Sequence, residues 1–263
     1  MASAPQGKPP FPGASTLIAP PTWRCIDFIS DIHLHEGLPR TTDALERFLQ
    51  DSPADALFIL GDLFEAWVGD DMRSEAYEAH CLQMLQRAAR SRPTFIMVGN
   101  RDFLLGEDFM ADCGATPLPD PTVLEAFGQR ALLVHGDALC LADTDYLRFR
   151  AQVRQPQWQA GFLAHPLPAR LAQARQMREA SQAHQQAQAA HTGYADVDET
   201  CASDWLTAAK ATLLVHGHTH HPASEPFAGH VRHVLSDWDI DHGQPRAEAL
   251  RWGPSGFTRV PLT

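Results

Sequence analysis

Short apolar runs recur along the chain, and five of them stop abruptly at a side chain able to hold a metal ion. Ile26–Ser30 runs into Asp31-Ile32-His33, Ala56–Leu60 into Gly61-Asp62, and Phe95–Val98 into Gly99-Asn100-Arg101-Asp102. Ala131–Val134 runs into His135-Gly136-Asp137, and Leu213–Val215 into His216-Gly217-His218. Runs of this length bounded by turn residues predict strands. Helical spacing separates them. Thr42–Gln50 carries Ala44, Leu45, Phe48 and Leu49 on one face, and Ser74–Arg90 carries Tyr77, Cys81, Leu82, Met84 and Leu85 before Pro93 stops it. Pro121–Phe127 and Arg130–Val134, joined at Gly128-Gln129, predict a β-hairpin leading to His135. Asp198–Lys210 predicts a helix, and Val231–Leu235 and Ala247–Trp252 predict closing strands. The alternation is that of an α/β protein, in which ligands gather at the carboxyl ends of strands.

The texture changes between the fourth and fifth of these strands. From Asp143 to about residue 192 the chain is rich in Gln, Ala and Arg, with no strand pattern. Phe149, Trp158, Phe162, Leu163, Leu167, Leu171 and Met177 punctuate it, and Pro156, Pro166 and Pro168 break it into short helices. Two readings stand: a helical insertion forming a cap, or helices that pack on the sheet. The expected organisation is a disordered tail over residues 1–24, rich in Pro, Ala and Ser, and one domain over residues 25–263 that includes the insertion.

Composition narrows the function. The tail lacks a cationic start followed by an apolar stretch, which speaks against a secretory signal. No apolar run approaches the roughly 18 residues of a membrane helix. A net charge of −11 argues against broad contact with nucleic acid. The cysteines, Cys25, Cys81, Cys113, Cys140 and Cys201, form no close pair and read as reduced thiols of a cytoplasmic protein.

The candidate chemistry lies in the five strand ends. Two divalent cations about 3.5–4 Å apart can clamp a phosphoryl group and ionise water at neutral pH. Such a pair needs a carboxylate shared by both ions and further oxygen and imidazole ligands. Asp31, His33, Asp62, Asn100, His135, His216 and His218 supply a mixed set suited to Mn²⁺, Zn²⁺ or Fe²⁺. Asn100 adds an oxygen without another negative charge.

The ordered set Asp-x-His, Gly-Asp, Gly-Asn-x-Asp, His and Gly-His-x-His resembles the calcineurin-like metallophosphoesterases. The resemblance implies a β-sandwich flanked by helices with the site on one rim. It implies that Asp31, His33, Asp62 and His218 hold one ion. Asp62, Asn100, His135 and His216 would hold the other, with Asp62 as the bridge. Most of that superfamily has His directly after the Asn; here it is Arg101. Arginine donates no proton at neutral pH, but its fork holds phosphate oxygens. A leaving group that needs little protonation, itself a phosphate, points to diphosphate cleavage.

Longer strings carry a finer resemblance: Gly61-Asp62-Leu63-Phe64-Glu65-Ala66-Trp67-Val68-Gly69-Asp70-Asp71, His216-Gly217-His218-Thr219-His220-His221-Pro222, and Tyr146-Leu147-Arg148-Phe149-Arg150. They look like the branch that cleaves UDP-2,3-diacylglucosamine in lipid A biosynthesis. That resemblance, over about Ile26 to Trp238, implies release of UMP and diacylglucosamine 1-phosphate, with two Mn²⁺ per chain. It also implies a peripheral position on the cytoplasmic face of the inner membrane, and no obligate protein partner is evident. The insertion becomes a cap sheltering acyl chains, and Asn100, Arg101, Asp143, Ser181 and His216 would contact substrate. Gln185 stands where the family has Asn and Gln188 where it has Lys, removing a positive charge that Arg178 or Arg175 could replace.

His35, His220 and His221 read as rim residues beside the ligands. Asp102 reads as an orienting or loop-capping residue. Glu65, Asp70 and Asp71 either support ligands or are solvated loop carboxylates. The rival functions are a diphosphatase of soluble nucleotide substrates, which needs no apolar cleft, and a non-catalytic scaffold, which would have no use for the full ligand set.

Overall fold

The computed structural model describes residues 8–178 and 196–263, which form two six-stranded sheets packed face to face with helices outside. One sheet is built from β2 (Ile26–Ile29), β3 (Ala56–Leu60), β4 (Thr94–Met97), β5 (Thr116–Pro117), β11 (Glu248–Gly253) and β12 (Gly256–Pro261), in the order β12-β11-β2-β3-β4-β5. The other contains β1 (Ser15–Ile18), β6 (Thr122–Ala126), β7 (Gln129–Val134), β8 (Leu213–His216), β9 (Ala223–Phe227) and β10 (His230–Val234), in the order β1-β6-β7-β8-β10-β9. The helices are α1 (Pro39–Asp51), α2 (Ala76–Ser91), α3 (Glu107–Cys113), α4 (Thr144–Val153), α5 (Pro156–Leu163), α6 (residues 167–178) and α7 (Glu199–Ala209).

The central strands read as unbroken apolar runs because both of their faces are covered. In β3, Ala56, Phe58 and Leu60 join the core between the sheets, while Leu57 and Ile59 pack with Leu45 and Phe48 of α1 and Leu85 of α2. In β7, Ala131 and Leu133 face the same inter-sheet core, and Leu132 and Val134 pack with Trp205 and Leu206 of α7. Register aligns Phe28, Phe58 and Phe95 across β2, β3 and β4. Their rings stack at 5.3 and 4.6 Å between centroids. Burying each such side chain contributes roughly 1.5–3 kcal/mol. Because β2, β3 and β4 run parallel, as do β7 and β8, all five ligand-bearing loops leave at carboxyl ends.

Part of the expected tail is ordered structure. Residues 15–18 pair in parallel with β6 along its free edge. Ahead of them Phe11 packs edge-on against Trp205, whose Nε1 donates to the Pro9 carbonyl at 3.2 Å. The partner here is a row of backbone groups on another strand, which composition cannot reveal. Strands β5, β9 and β12 and helix α3 were likewise not anticipated. Three of these elements lie at sheet edges, where apolar patterning is weak, and β9 carries Pro226, tolerated on an edge strand.

Between β7 and α7 lie α4, α5 and α6, with Pro156 opening α5 and Pro166 preceding α6. Phe162 is buried, and Trp158, Leu167 and Leu171 pack partly buried against the helix-side core. Leu163 is 42% exposed. Ser181, Gln185 and Gln188 lie outside the described residues. All five cysteines are free thiols. No helix among the described residues is long and apolar enough to cross a membrane.

Candidate metal centre

The loops after the strands are held in conformations that cost energy. Asp31, His33, Asp62, His218 and His220 all have left-handed backbone, with φ between 51° and 66°. Such residues persist only where their surroundings over-determine them. Backbone bonds between loops do so here: Asp31 N donates to Gly61 O (3.1 Å), Ile32 N and His33 N donate to Asp62 O (2.9 and 3.0 Å), and Gly217 N donates to His135 O (2.9 Å). Two glycines permit the approach. A Cβ on Gly99 would lie 2.1 Å from Asp62 Oδ1, and one on Gly217 would lie 2.2 Å from Asp31 Oδ2.

Two groups of ligand atoms lie within 4.8 Å of one another: Asp31 with Asp62 and His135, and Asp31 with His33 and His220. Buried Asp31 accepts at Oδ2 from Ser30 Oγ (2.5 Å) and His218 N (2.9 Å). Its Oδ1 faces His220 Nε2 at 3.3 Å and His33 Nε2 at 3.9 Å. Asp62 Oδ1 accepts from Arg101 N at 2.8 Å, and its Oδ2 lies 3.7 Å from His135 Nε2. Asn100 Oδ1 sits 2.9 Å from both His135 Nε2 and His218 Nδ1.

The donor set fits a divalent cation on the protein's own geometry. His135 Nδ1 donates to Leu60 O (2.9 Å) and His216 Nδ1 to Gly217 O (2.8 Å), so each Nε2 in the neutral ring carries a lone pair. That of His216 is buried with no hydrogen-bond partner. That of His135 faces an amide oxygen, two acceptors that a shared cation or proton reconciles. Electrostatics agree. Burial alone would lower the His135 pKa, but Asp62, Asp31 and Asp137 raise it to about 9. A site that draws a proton onto a buried imidazole draws a cation by the same field. Burial holds His216 and His218 down at about 4, leaving them neutral donors. Despite burial, the Asp31 carboxyl is held well below its usual range by the His220 hydrogen bond and the charges of His220, His135 and His33.

Placement differs from the sequence reading at two histidines. His220, read as a rim residue, brings its Nε2 to 3.3 Å from both Asp31 Oδ1 and His33 Nε2. The His218 ring, which the resemblance groups with Asp31 and His33, lies beside Asn100 and His135, with 5.2 Å between the His135 and His218 ring centroids. Left-handed turns at both residues decide which way each ring projects. The alternation of His216, His218 and His220 was the signal that could have included the third.

The surrounding carboxylates have distinct tasks. Glu65 lies 3.0 Å from His33 Nδ1 and 2.9 Å from Arg178 Nε of α6. Buried Asp102 accepts from Gly99 N (2.7 Å) and Leu63 N (2.8 Å), bracing two loops. Burial and the Asp62 charge push its carboxyl up to about 6. Asp70 accepts from Trp67 Nε1, Gly106 N and Phe109 N, and Asp71 pairs with Arg170 of α6. Asp143 caps α4, accepting from Tyr146 N at 3.0 Å.

Residues 26–222 match the calcineurin-like phosphoesterase family. A UDP-2,3-diacylglucosamine hydrolase of Ralstonia nicotianae is 44% identical over 90% of this chain and 92% of its own length. One from Chromobacterium violaceum is 45% identical over 90% of this chain and 98% of its own. Among solved structures, the Escherichia coli phosphoesterase Yfce is similar over 91% of this chain and 93% of that one, with 19% identity and a TM-score of 0.47.

Proposed function

The chain belongs to the calcineurin-like phosphoesterase family, and from that premise we propose that it hydrolyses the diphosphate of UDP-2,3-diacylglucosamine to UMP and 2,3-diacylglucosamine 1-phosphate. The observation that carries this reading is the likeness, across nine-tenths of the chain, to relatives named for hydrolysis of that substrate.

Two Mn²⁺ ions, held by Asp31, His33, Asp62, Asn100, His135, His216 and His218, would supply Lewis acidity toward phosphoryl oxygens and lower the pKa of water. The protein's own groups do the rest. The Asp62 carboxylate is fixed by the Arg101 amide, so its second oxygen keeps one direction. The Arg101 guanidinium, beside Glu65, would bind phosphate oxygens without giving up a proton. The departing phosphate is already a stable anion and needs none. Asp143 and Ser181 are the further substrate contacts in this reading. Arg178, which pairs with Glu65, would supply the positive charge that Gln188 lacks.

The cap reading rests on α5 and α6, where Leu163 is open to solvent and Trp158 and Leu167 are half-buried beside it. We place the enzyme peripherally on the cytoplasmic face of the inner membrane. A chain of net charge −11 gains little from an anionic surface, so apolar contact would carry that association. The test is turnover with Mn²⁺ of the diacylated UDP-sugar against its deacylated analogue. The proposal expects activity that EDTA removes and Mn²⁺ restores, with a marked preference for the acylated form. Equal rates would favour a soluble nucleotide substrate, and no turnover of either would overturn the assignment.

A further inference from the structure

Helix α4 lies in the insertion, yet two of its side chains and its C-cap residue, Arg154, are spent on the metal rim. Tyr146 Oη donates to Asp137 Oδ2, and Arg150 Nε donates to the same oxygen at 2.8 Å. Asp137 is fully buried and stands two residues after His135. Arg150 Nη2 also lies 3.8 Å from Asp120, whose carboxylate is nine-tenths buried. One turn further on, Arg154 Nη2 donates to the Gly99 carbonyl at 2.8 Å, and its guanidinium stacks over Phe103 at 5.3 Å. Gly99 immediately precedes Asn100. One helix with its C-cap therefore grips the backbone next to Asn100 and the loop next to His135, whose side-chain ligand atoms lie 2.9 Å apart.

Among the described residues, no hydrogen bond or ion pair runs from α4 to Asp31 or His33, although the Tyr146 ring lies 6.1 Å from that of His218. Asp31 and His33 are held by backbone bonds to the Asp62 loop, and His33 meets Glu65 and, through it, Arg178 of α6. The two ligand sets thus hang on different helices of the insertion.

We propose that Arg154, and the Arg150–Asp137–Tyr146 cluster beside it, are positioning residues for the Asn100/His135 half of the metal centre. Helix α4 is a strut that sets the spacing of those two ligands, as well as part of a cover over substrate. This rests on the two-ion reading above. The physical basis is that both acceptors, the Gly99 carbonyl and the Asp137 carboxylate, belong to buried residues, while the arginines that reach them are partly buried. The Gly99 carbonyl loses a charge-assisted donor if Arg154 goes, and the Asp137 carboxylate loses one if Arg150 goes, and the loop is then free to relax toward another donor.

The test is Mn²⁺ titration of the full-length protein, followed by electron paramagnetic resonance, together with kcat and KM. The unaltered protein should take up two equivalents and show the signature of a coupled pair. Arg154→Met should bind the first equivalent normally and the second roughly 10–100-fold more weakly, the range for residues that orient ligands. The coupled signature should fade at limiting Mn²⁺, and kcat should fall with little change in KM. Arg154→Lys, which keeps a cation near the Gly99 carbonyl, should recover part of both. If Arg154→Met fails to fold by circular dichroism, the double variant Arg150→Met with Asp137→Asn, which removes the buried charges together, reads the same coupling. Two equivalents bound with unaltered affinity in folded Arg154→Met, or in the folded double variant, would overturn the strut. Fewer than two equivalents on the unaltered protein would overturn the two-ion reading itself, and the strut with it.

Discussion

The rim and the insertion sit side by side but are built to different tolerances. At the rim, Asp31, His135 and His216 are completely buried, five residues hold left-handed backbone, and the loops bond to one another through main-chain atoms. In the insertion, Val153, Phe162 and Arg170 are buried, Trp158 and Leu167 are half-buried, and Leu163 stands open. Chemistry on a phosphoryl group requires ligand atoms fixed to a fraction of an ångström, which only an over-determined backbone provides. Holding a flexible apolar chain requires area rather than position, and a looser helical layer suffices. Stability resides with the sheets beneath the rim; in the proposed reading, substrate choice resides with the insertion.

That contrast can be broken at three depths. The largest effect belongs to the ligands: Asp62→Ala and His135→Ala should lose roughly 10³-fold or more in kcat, about 4 kcal/mol in the transition state. Both should keep a native circular dichroism spectrum, since the sheets do not depend on either side chain. Near-normal turnover in either would mean that the rim is not the catalytic centre. Next comes the sheet core: Phe58→Ala removes a ring stacked between Phe28 and Phe95 and should cost about 3–5 kcal/mol in urea unfolding. Its kcat should stay close to normal wherever the protein remains folded. The smallest effect belongs to the insertion. Leu163→Gln should change stability by no more than about 0.5 kcal/mol, yet raise KM for the acylated substrate a few-fold, about 1 kcal/mol of apolar contact. The deacylated analogue should not respond. A stability loss as large as that of Phe58→Ala would show that the insertion is core, and the contrast would fail.

The helices and central strands could be read from the chain because their burial is one-sided or complete and so leaves a period. α1 shows its stripe at Ala44, Leu45, Phe48 and Leu49, and β3 its unbroken run. The elements that escaped are those whose partners are backbone groups or edges: β1 along β6, β9 with its proline, and β12 along β11. At the site, Asp102 reads from the sequence as an orienting or loop-capping residue, and its bonds to Gly99 and Leu63 show which two loops it braces. His220 looked like rim, and the alternation with His216 and His218 was present but silent about direction.

The sequence by itself determined which residues end the five central strands and therefore which side chains can reach one rim. An apolar run covered on both faces takes up an aspartate or histidine only where a partner meets it, as Arg251 meets Asp27 inside β2, so most of these runs mark their own ends. It also carried the family and, in Arg101, the bias toward a phosphate leaving group. Only the tertiary structure decided which way His218 and His220 project, that Arg154 holds the Gly99 carbonyl across 55 residues, and that residues 15–18 complete a sheet. Those outcomes depend on backbone conformation and on contacts between distant segments, and neither leaves a period along the chain.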